Sequence, residues 1–322
     1  MSNLVKISSV TKKLVIALLG GFLLLFLAFH MCANLCILRN DGGDWYSQFC
    51  HFMGTNIFVK VFEVILLAVV LFHIVCTIII TLQNKKARPV GYHHASKSKT
   101  SKGSKLMIYS GIVILLFLVL HFFNFYFVKI GITEGIYMIK TEEVNSQELS
   151  ALQECARDGM SPEEFIAANE QQVQAMAGQL DPEQMNRVTE QLDNMKKALP
   201  VLGFMEKVVT SEDMLSEDGK WIHKISKEDK KMLSESLPKA EIEPDFYYQA
   251  RDLFGNPLYA IVYLACFVFL WLHMRHAFES AFQTLGLTNY TWYPIISVIG
   301  IIFAWVICLG FAIVPLYVLL VL

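Results

Sequence analysis

Residues Ile57–Gln83 read IFVKVFEVILLAVVLFHIVCTIIITLQ, an apolar run whose charged residues, Lys60 and Glu63, fall near its start and whose single histidine, His73, is set deep inside it. A bilayer core of about 30 Å asks for roughly 20 apolar residues in a helix, and this stretch exceeds that length. Four more segments do the same: Leu14–Leu38, Leu106–Val128, Pro257–Phe278 and Tyr293–Leu322. Over all 322 residues, 54% are hydrophobic, 17% are charged and the mean hydropathy is +0.44, which excludes an ordinary soluble domain. With 27 basic against 29 acidic residues there is no cationic excess, so nucleic acid is not an expected partner. The cysteines fall mostly inside apolar stretches (Cys32, Cys36, Cys76, Cys266, Cys308) and read as packing residues rather than a disulfide framework. Cys32 and Cys36 have helical spacing but lack the partners a zinc site needs.

The expected fold class is an all-α membrane protein of five transmembrane helices. Leu14–Leu38 is too long for the apolar core of a signal peptide and is expected to stay in the chain. Lys85, Lys86, Arg88, Lys97, Lys99, Lys102 and Lys105 crowd the loop 84–105 with no acid among them, which places that loop in the cytoplasm. Alternation then puts the N-terminus inside and the C-terminus outside. The chain divides into 1–131 with the first three spans, a polar and mainly helical insertion at 132–250 outside the membrane, and 251–322 with the last two spans. Within the insertion, Ser161-Pro162-Glu163-Glu164 and Asp181-Pro182-Glu183 read as helix starts. Its many acids are most simply a solvated surface.

Strongly coordinating groups inside apolar spans are costly, so their placement is informative. Four spans each carry one deep histidine: His30, His73, His121 and His273. With alternating chain direction, His30 and His121 lie about 24 and 22 Å from the cytoplasmic starts of their helices, in the outer half. His73 and His273 lie about 24 Å past the outer starts of theirs, in the inner half. Two pairs at two depths suit two stacked haems, each iron taking one imidazole on either face. His30 and His121 would then hold an outer haem, His73 and His273 an inner one. Six-coordinate iron without a free position carries electrons rather than substrate. A proton pathway built on the same histidines would call for several midplane carboxylates, and only Glu63 approaches that depth. His276, three residues beyond His273, is nearer the interface. With Arg275, Arg88 and His93 it is a candidate for a haem propionate or a partner surface.

These residues resemble the dihaem cytochrome b membrane subunit, of b558 type, of succinate dehydrogenase and fumarate reductase. The resemblance rests on Phe29-His30-Met31 with Asn34, on Leu71-Phe72-His73-Ile74-Val75 running to Gln83-Asn84-Lys85-Lys86-Ala87-Arg88-Pro89-Val90, and on Met107-Ile108-Tyr109-Ser110-Gly111 leading to His121. It continues from His273 through Ser280-Ala281-Phe282-Gln283-Thr284-Leu285-Gly286, where the spacing from ligand to helix-closing glycine favours His273 over His276. The resemblance implies a bacterial inner-membrane anchor with two haem b groups. It would bind a flavoprotein (FAD) subunit and an iron–sulfur subunit, exchange electrons with menaquinone, contact membrane lipid, and be compatible with a dimer of heterotrimers. Dicarboxylate chemistry would occur in the partners; this chain has no flavin fingerprint and no cluster-binding cysteine spacing.

The family's quinone site lies near the outer haem, with a carboxylate to receive the proton released by quinol. Glu63, near the start of the second span, is the positional match, and its alternative is an interfacial pair with Lys60. Trp45 and Tyr46 could contact the quinone ring, although aromatic residues collect at interfaces anyway. The insertion 132–250 departs from the family, whose corresponding connection is much shorter. The alternative function is a cytochrome b subunit of another membrane oxidoreductase, of hydrogenase or formate dehydrogenase type. The sequence leaves the direction of catalysis open.

Overall fold

The computed structural model describes residues 8–87, 102–140, 161–176, 181–209, 221–236 and 241–322. It is mostly helical, and five of its helices are long and apolar enough to cross a membrane: Val10–Leu38, Ile57–Lys86, Leu106–Lys129, Pro257–Thr284 and Trp292–Val321. The chain is therefore a multi-pass membrane protein by helix length and composition. Two compact units are present, Met1–Phe122 with Ala250–Leu322, and Phe123–Gln249.

The first unit contains α1 (Ser9–Leu35), α2 (Asp44–Thr55), α3 (Ile57–Ala87) and α4 (Lys102–His121). Further along the chain are α5 (Pro162–Met176), α6 (Pro182–Val209), α7 (Lys227–Ser236), α8 (Phe246–Gly255), α9 (Pro257–Thr284) and α10 (Trp292–Val321). Helix boundaries follow local chemistry. Ser8 caps α1 by accepting from Thr11 N at 3.1 Å, and Asn256 caps α9 by accepting from Leu258 N at 3.0 Å ahead of Pro257. α9 ends where Gly286 takes φ +72°, a left-handed conformation that only glycine adopts without strain.

α1 is the hub of this unit, packing against α3, α9 and α10; α9 also packs against α10 and α4. α3 and α4 are not a closely packed pair. Two polar contacts fix the antiparallel order at one end: Lys12 Nζ donates to Gln83 Oε1 at 3.0 Å, and Ser297 Oγ donates to Glu279 Oε1 at 2.7 Å. Close approach of α10 to its neighbours depends on glycine. A Cβ on Gly310 would meet Met31 Sδ at 2.5 Å, and one on Gly300 would meet Phe278 Cδ1 at 2.7 Å.

Directly after His121, α4 widens into a π turn over Phe122–Tyr126 and closes with a helical turn at Phe127–Lys129. The second unit adds an antiparallel sheet in the order β2-β1-β3, from β1 (Gly135–Lys140), β2 (Trp221–Ile225) and β3 (Glu241–Pro244). The central strand alternates, with Tyr137 and Ile139 fully buried, and Tyr137 pairs with His223 on one side and Pro244 on the other. Tyr137 Oη donates to the Val128 carbonyl at 2.6 Å. Elsewhere in the unit, Ile166 and Leu192 join α5 to α6, backed by a Lys196–Glu170 ion pair. Both helix starts expected from sequence are capped: Glu164 N donates to Ser161 Oγ at 3.2 Å, and Gln184 N to Asp181 Oδ1 at 2.8 Å. The sheet is a feature that helical patterning alone did not reveal.

Candidate functional site

The four histidines of the apolar spans lie on four different helices of the first unit, and two of them meet ring to ring. His30 of α1 faces His121, the last residue of α4, with ring centroids 5.9 Å apart and planes at 82°. His73 of α3 lies against Gly20 of α1, and His273 of α9 lies against Ser110 and Gly111 of α4. No group of three or more His, Cys, Asp or Glu side chains converges as a metal cluster among the described residues.

The pairs occupy separate levels. His73 Cε1 lies 3.9 Å from where a Cβ on Gly20 would stand, and His30 is ten residues further along α1, about 15 Å at a rise of 1.5 Å. On α4, His273 meets Ser110 and Gly111, and His121 lies eleven residues beyond Ser110, about 16 Å. Two independent helices thus give the same separation.

Aromatic rings enclose the His30–His121 pair. Phe26 stacks on His30 at 5.3 Å and 14°, Phe117 on His121 at 5.8 Å and 28°, and Phe311 and Tyr263 approach from α10 and α9 at 5.7 and 6.4 Å. Polar support comes from α2. Tyr46, buried rather than presented to a ligand, donates its hydroxyl to Asn34 Oδ1 at 3.1 Å. Asn34 Nδ2 in turn donates to the His30 carbonyl at 2.7 Å and lies 3.3 Å from His30 Nδ1. Trp45 stacks on Phe49 instead, at 5.5 Å and 3°.

At the other pair the tautomer can be derived. Ser110 Oγ gives its only proton to the Met107 carbonyl at 3.0 Å and lies 3.2 Å from His273 Nδ1. The serine therefore accepts from Nδ1–H, which leaves Nε2 as the nitrogen with a free lone pair. His73 Nδ1 is buried with no hydrogen-bond partner among the described residues.

The residues fit a haem at each level on four observations. Each level carries two imidazoles on two different helices. A metal–imidazole bond of about 2 Å on each side, plus about 1 Å from nitrogen to ring centre, spans about 6 Å; the His30–His121 centroids are 5.9 Å apart. The Ser110 contact presents Nε2 of His273 in ligating form. Finally, Gly20 and Gly111 face the rings of His73 and His273 with no side chain of their own, and α3 and α4 are not packed closely on each other.

The remaining candidates are dispersed. Glu63 is half-buried on the second turn of α3, at the end of the unit where Phe62 joins Phe22 and Phe26. His276 lies beside Glu279, near the opposite end. Arg275 is exposed, with its guanidinium carbon 5.7 Å above the Trp271 ring. Arg88 and His93 lie outside the described residues, as does most of the basic loop 84–105. Ser110 and Tyr46 are the supporting residues whose roles sequence reasoning missed. Ser110 had a usable signal, since eleven residues are three helical turns and set it on the same face of α4 as His121. No protein-family model, curated protein or solved structure matches this chain.

Proposed function

We propose that this chain is the dihaem cytochrome b subunit that anchors a succinate:quinone oxidoreductase, either succinate dehydrogenase or quinol:fumarate reductase, in a bacterial inner membrane. The observation that carries the reading is the meeting of His30 with His121, with His73 and His273 set about 15 Å away along α1 and α4 on two further membrane-length helices. The motifs around those histidines support this class over other cytochromes b. His30 and His121 would hold the outer haem b, His73 and His273 the inner one, and bound haem supplies a one-electron centre at each level.

The protein's own part is to bind, orient and exclude. Ser110 holds the His273 ring with Nε2 turned inward, Asn34 and Tyr46 hold the backbone and ring of His30, and Phe26, Phe117 and Phe311 keep water from the outer pair. Glu63, at the same end as the outer pair, would accept a proton from menaquinol. The basic loop 84–105 would face the cytoplasm, where the iron–sulfur and flavoprotein subunits dock.

Purification of the complex, followed by a reduced-minus-oxidised spectrum and succinate- and fumarate-dependent assays, tests the proposal. Two b-type haems are expected, with His30→Ala or His121→Ala removing one and His73→Ala or His273→Ala the other. Absence of b-type haem from cofactor-replete protein would overturn it. Loss of the inner haem in His276→Ala with retention in His273→Ala would reassign the α9 ligand.

A further inference from the structure

We infer that Arg275, with Trp271 and Trp305, forms a binding site on the membrane-facing side of α9 and α10 for the phosphodiester of an anionic phospholipid. At 100° per residue, Arg275 and Trp271 each lie about 160° around α9 from His273, whereas His276 lies about 60° from it. Arg275 is thus turned away from the histidine pair, and the propionate role open to it in sequence passes to the face that carries His276.

What surrounds Arg275 is incomplete. Its guanidinium lies over Trp271 at 5.7 Å, and Trp271 packs on the half-exposed Trp305 of α10 at 5.1 Å. Arg275 makes no ion pair or hydrogen bond to any described residue. Beneath it, Trp271 Nε1 is buried with no acceptor among the described residues. Two donors therefore share one face of a membrane-length helix without an anion. A charged group left so in hydrocarbon is costly, and such groups are retained with a partner. A phosphate drawing Arg275 outward would satisfy the guanidinium and uncover the indole N–H beneath it.

Lipid is the anion that the described residues best leave room for. Among the five membrane-length segments the acidic residues are Glu63 and Glu279 alone. Glu63 lies toward the opposite end of the unit, and Glu279 is already hydrogen-bonded to Ser297. A second copy related by an axis along the membrane normal keeps every residue at its own depth, so it offers no other carboxylate to Arg275. The Trp271–Trp305 pair adds an aromatic surface of the kind enriched near headgroups. This inference rests on the membrane-spanning character of α9 and α10 and is independent of the haem reading.

The test uses the full-length protein, delipidated in detergent and titrated with dioleoyl phosphatidylglycerol or dioleoyl phosphatidylcholine, with bound lipid counted by native mass spectrometry. Wild type should prefer phosphatidylglycerol. Arg275→Gln should weaken its binding about fivefold while leaving phosphatidylcholine unchanged, the factor expected of one basic side chain at an anionic headgroup. Arg275→Lys should keep the preference, which separates loss of charge from loss of fold. Equal binding of both lipids by wild type, or unchanged phosphatidylglycerol binding in Arg275→Gln, would overturn the site. A dimer abolished by both Arg275→Gln and Glu279→Gln would instead assign the surface to a second copy.

Discussion

Ser110 and His273 stand 3.2 Å apart across α4 and α9, and the direction of the hydrogen bond is settled by the serine's own proton, which goes to the Met107 carbonyl. An imidazole that donates through Nδ1 is a stronger base at Nε2. Ser110→Ala should weaken inner-haem retention about tenfold and raise the potential of that haem alone. A redox titration of the α-band in the purified variant checks this; unchanged retention and potentials would remove Ser110 from the site.

At the other pair the support runs through two side chains. Tyr46→Phe removes the hydroxyl that Asn34 accepts, at a cost of about 1 kcal/mol, and loosens the contact that Asn34 makes with His30. The outer haem's optical band or electron-spin signal should shift while the inner one stays fixed. Equal shifts in both would mean a global disturbance.

Glu63→Gln keeps the shape of the side chain and abolishes its basicity. Menaquinol oxidation by the complex should fall by about 100-fold if the carboxylate is the general base, with both haem spectra intact. Undiminished turnover would exclude that role.

Outside the membrane, Tyr137 and Lys230 give opposite pH signatures. Burial raises the Tyr137 phenol above its ordinary value of 10, so the stability it contributes is present below about pH 10 and is lost as pH rises through the folded value. Burial lowers the Lys230 ammonium, which lies 4.3 Å from the Tyr137 ring centre; its cost to the fold is present at neutral pH and relieved as pH rises toward 10.5. Tyr137→Phe should cost about 1 kcal/mol near neutrality by removing the hydroxyl's hydrogen bond to the Val128 carbonyl, which keeps its backbone donor, Gly131 N. It should also flatten the alkaline loss. Limited proteolysis of residues 123–249 in the full-length protein, between about pH 8 and about pH 11, measures both effects.

The membrane-length helices were legible because hydrocarbon imposes a length and composition that single residues cannot disguise, and Ile57–Gln83 shows both. That His30 and His121 stand together was also legible, since alternating direction and a fixed rise per residue place them at one depth. The sheet was not. β1 pairs with strands that begin 86 and 106 positions after Gly135, at Trp221 and Glu241, and pairing over that distance leaves no local period to read. The Tyr46–Asn34 contact was hidden for a related reason. An aromatic residue in an interfacial loop carries the same sequence signal whether it meets a ligand, the lipid surface or the next helix.

Because α1 packs against α9 and α10 as well as α3, the earliest hydrophobic helix of the chain must wait for the latest two before its interior face is covered. His121 likewise finds Tyr263 only after more than a hundred intervening residues have been translated. Biogenesis should consequently be all-or-nothing: a nascent chain halted ahead of Pro257 carries three of the four histidines, yet lacks the two helices that enclose them.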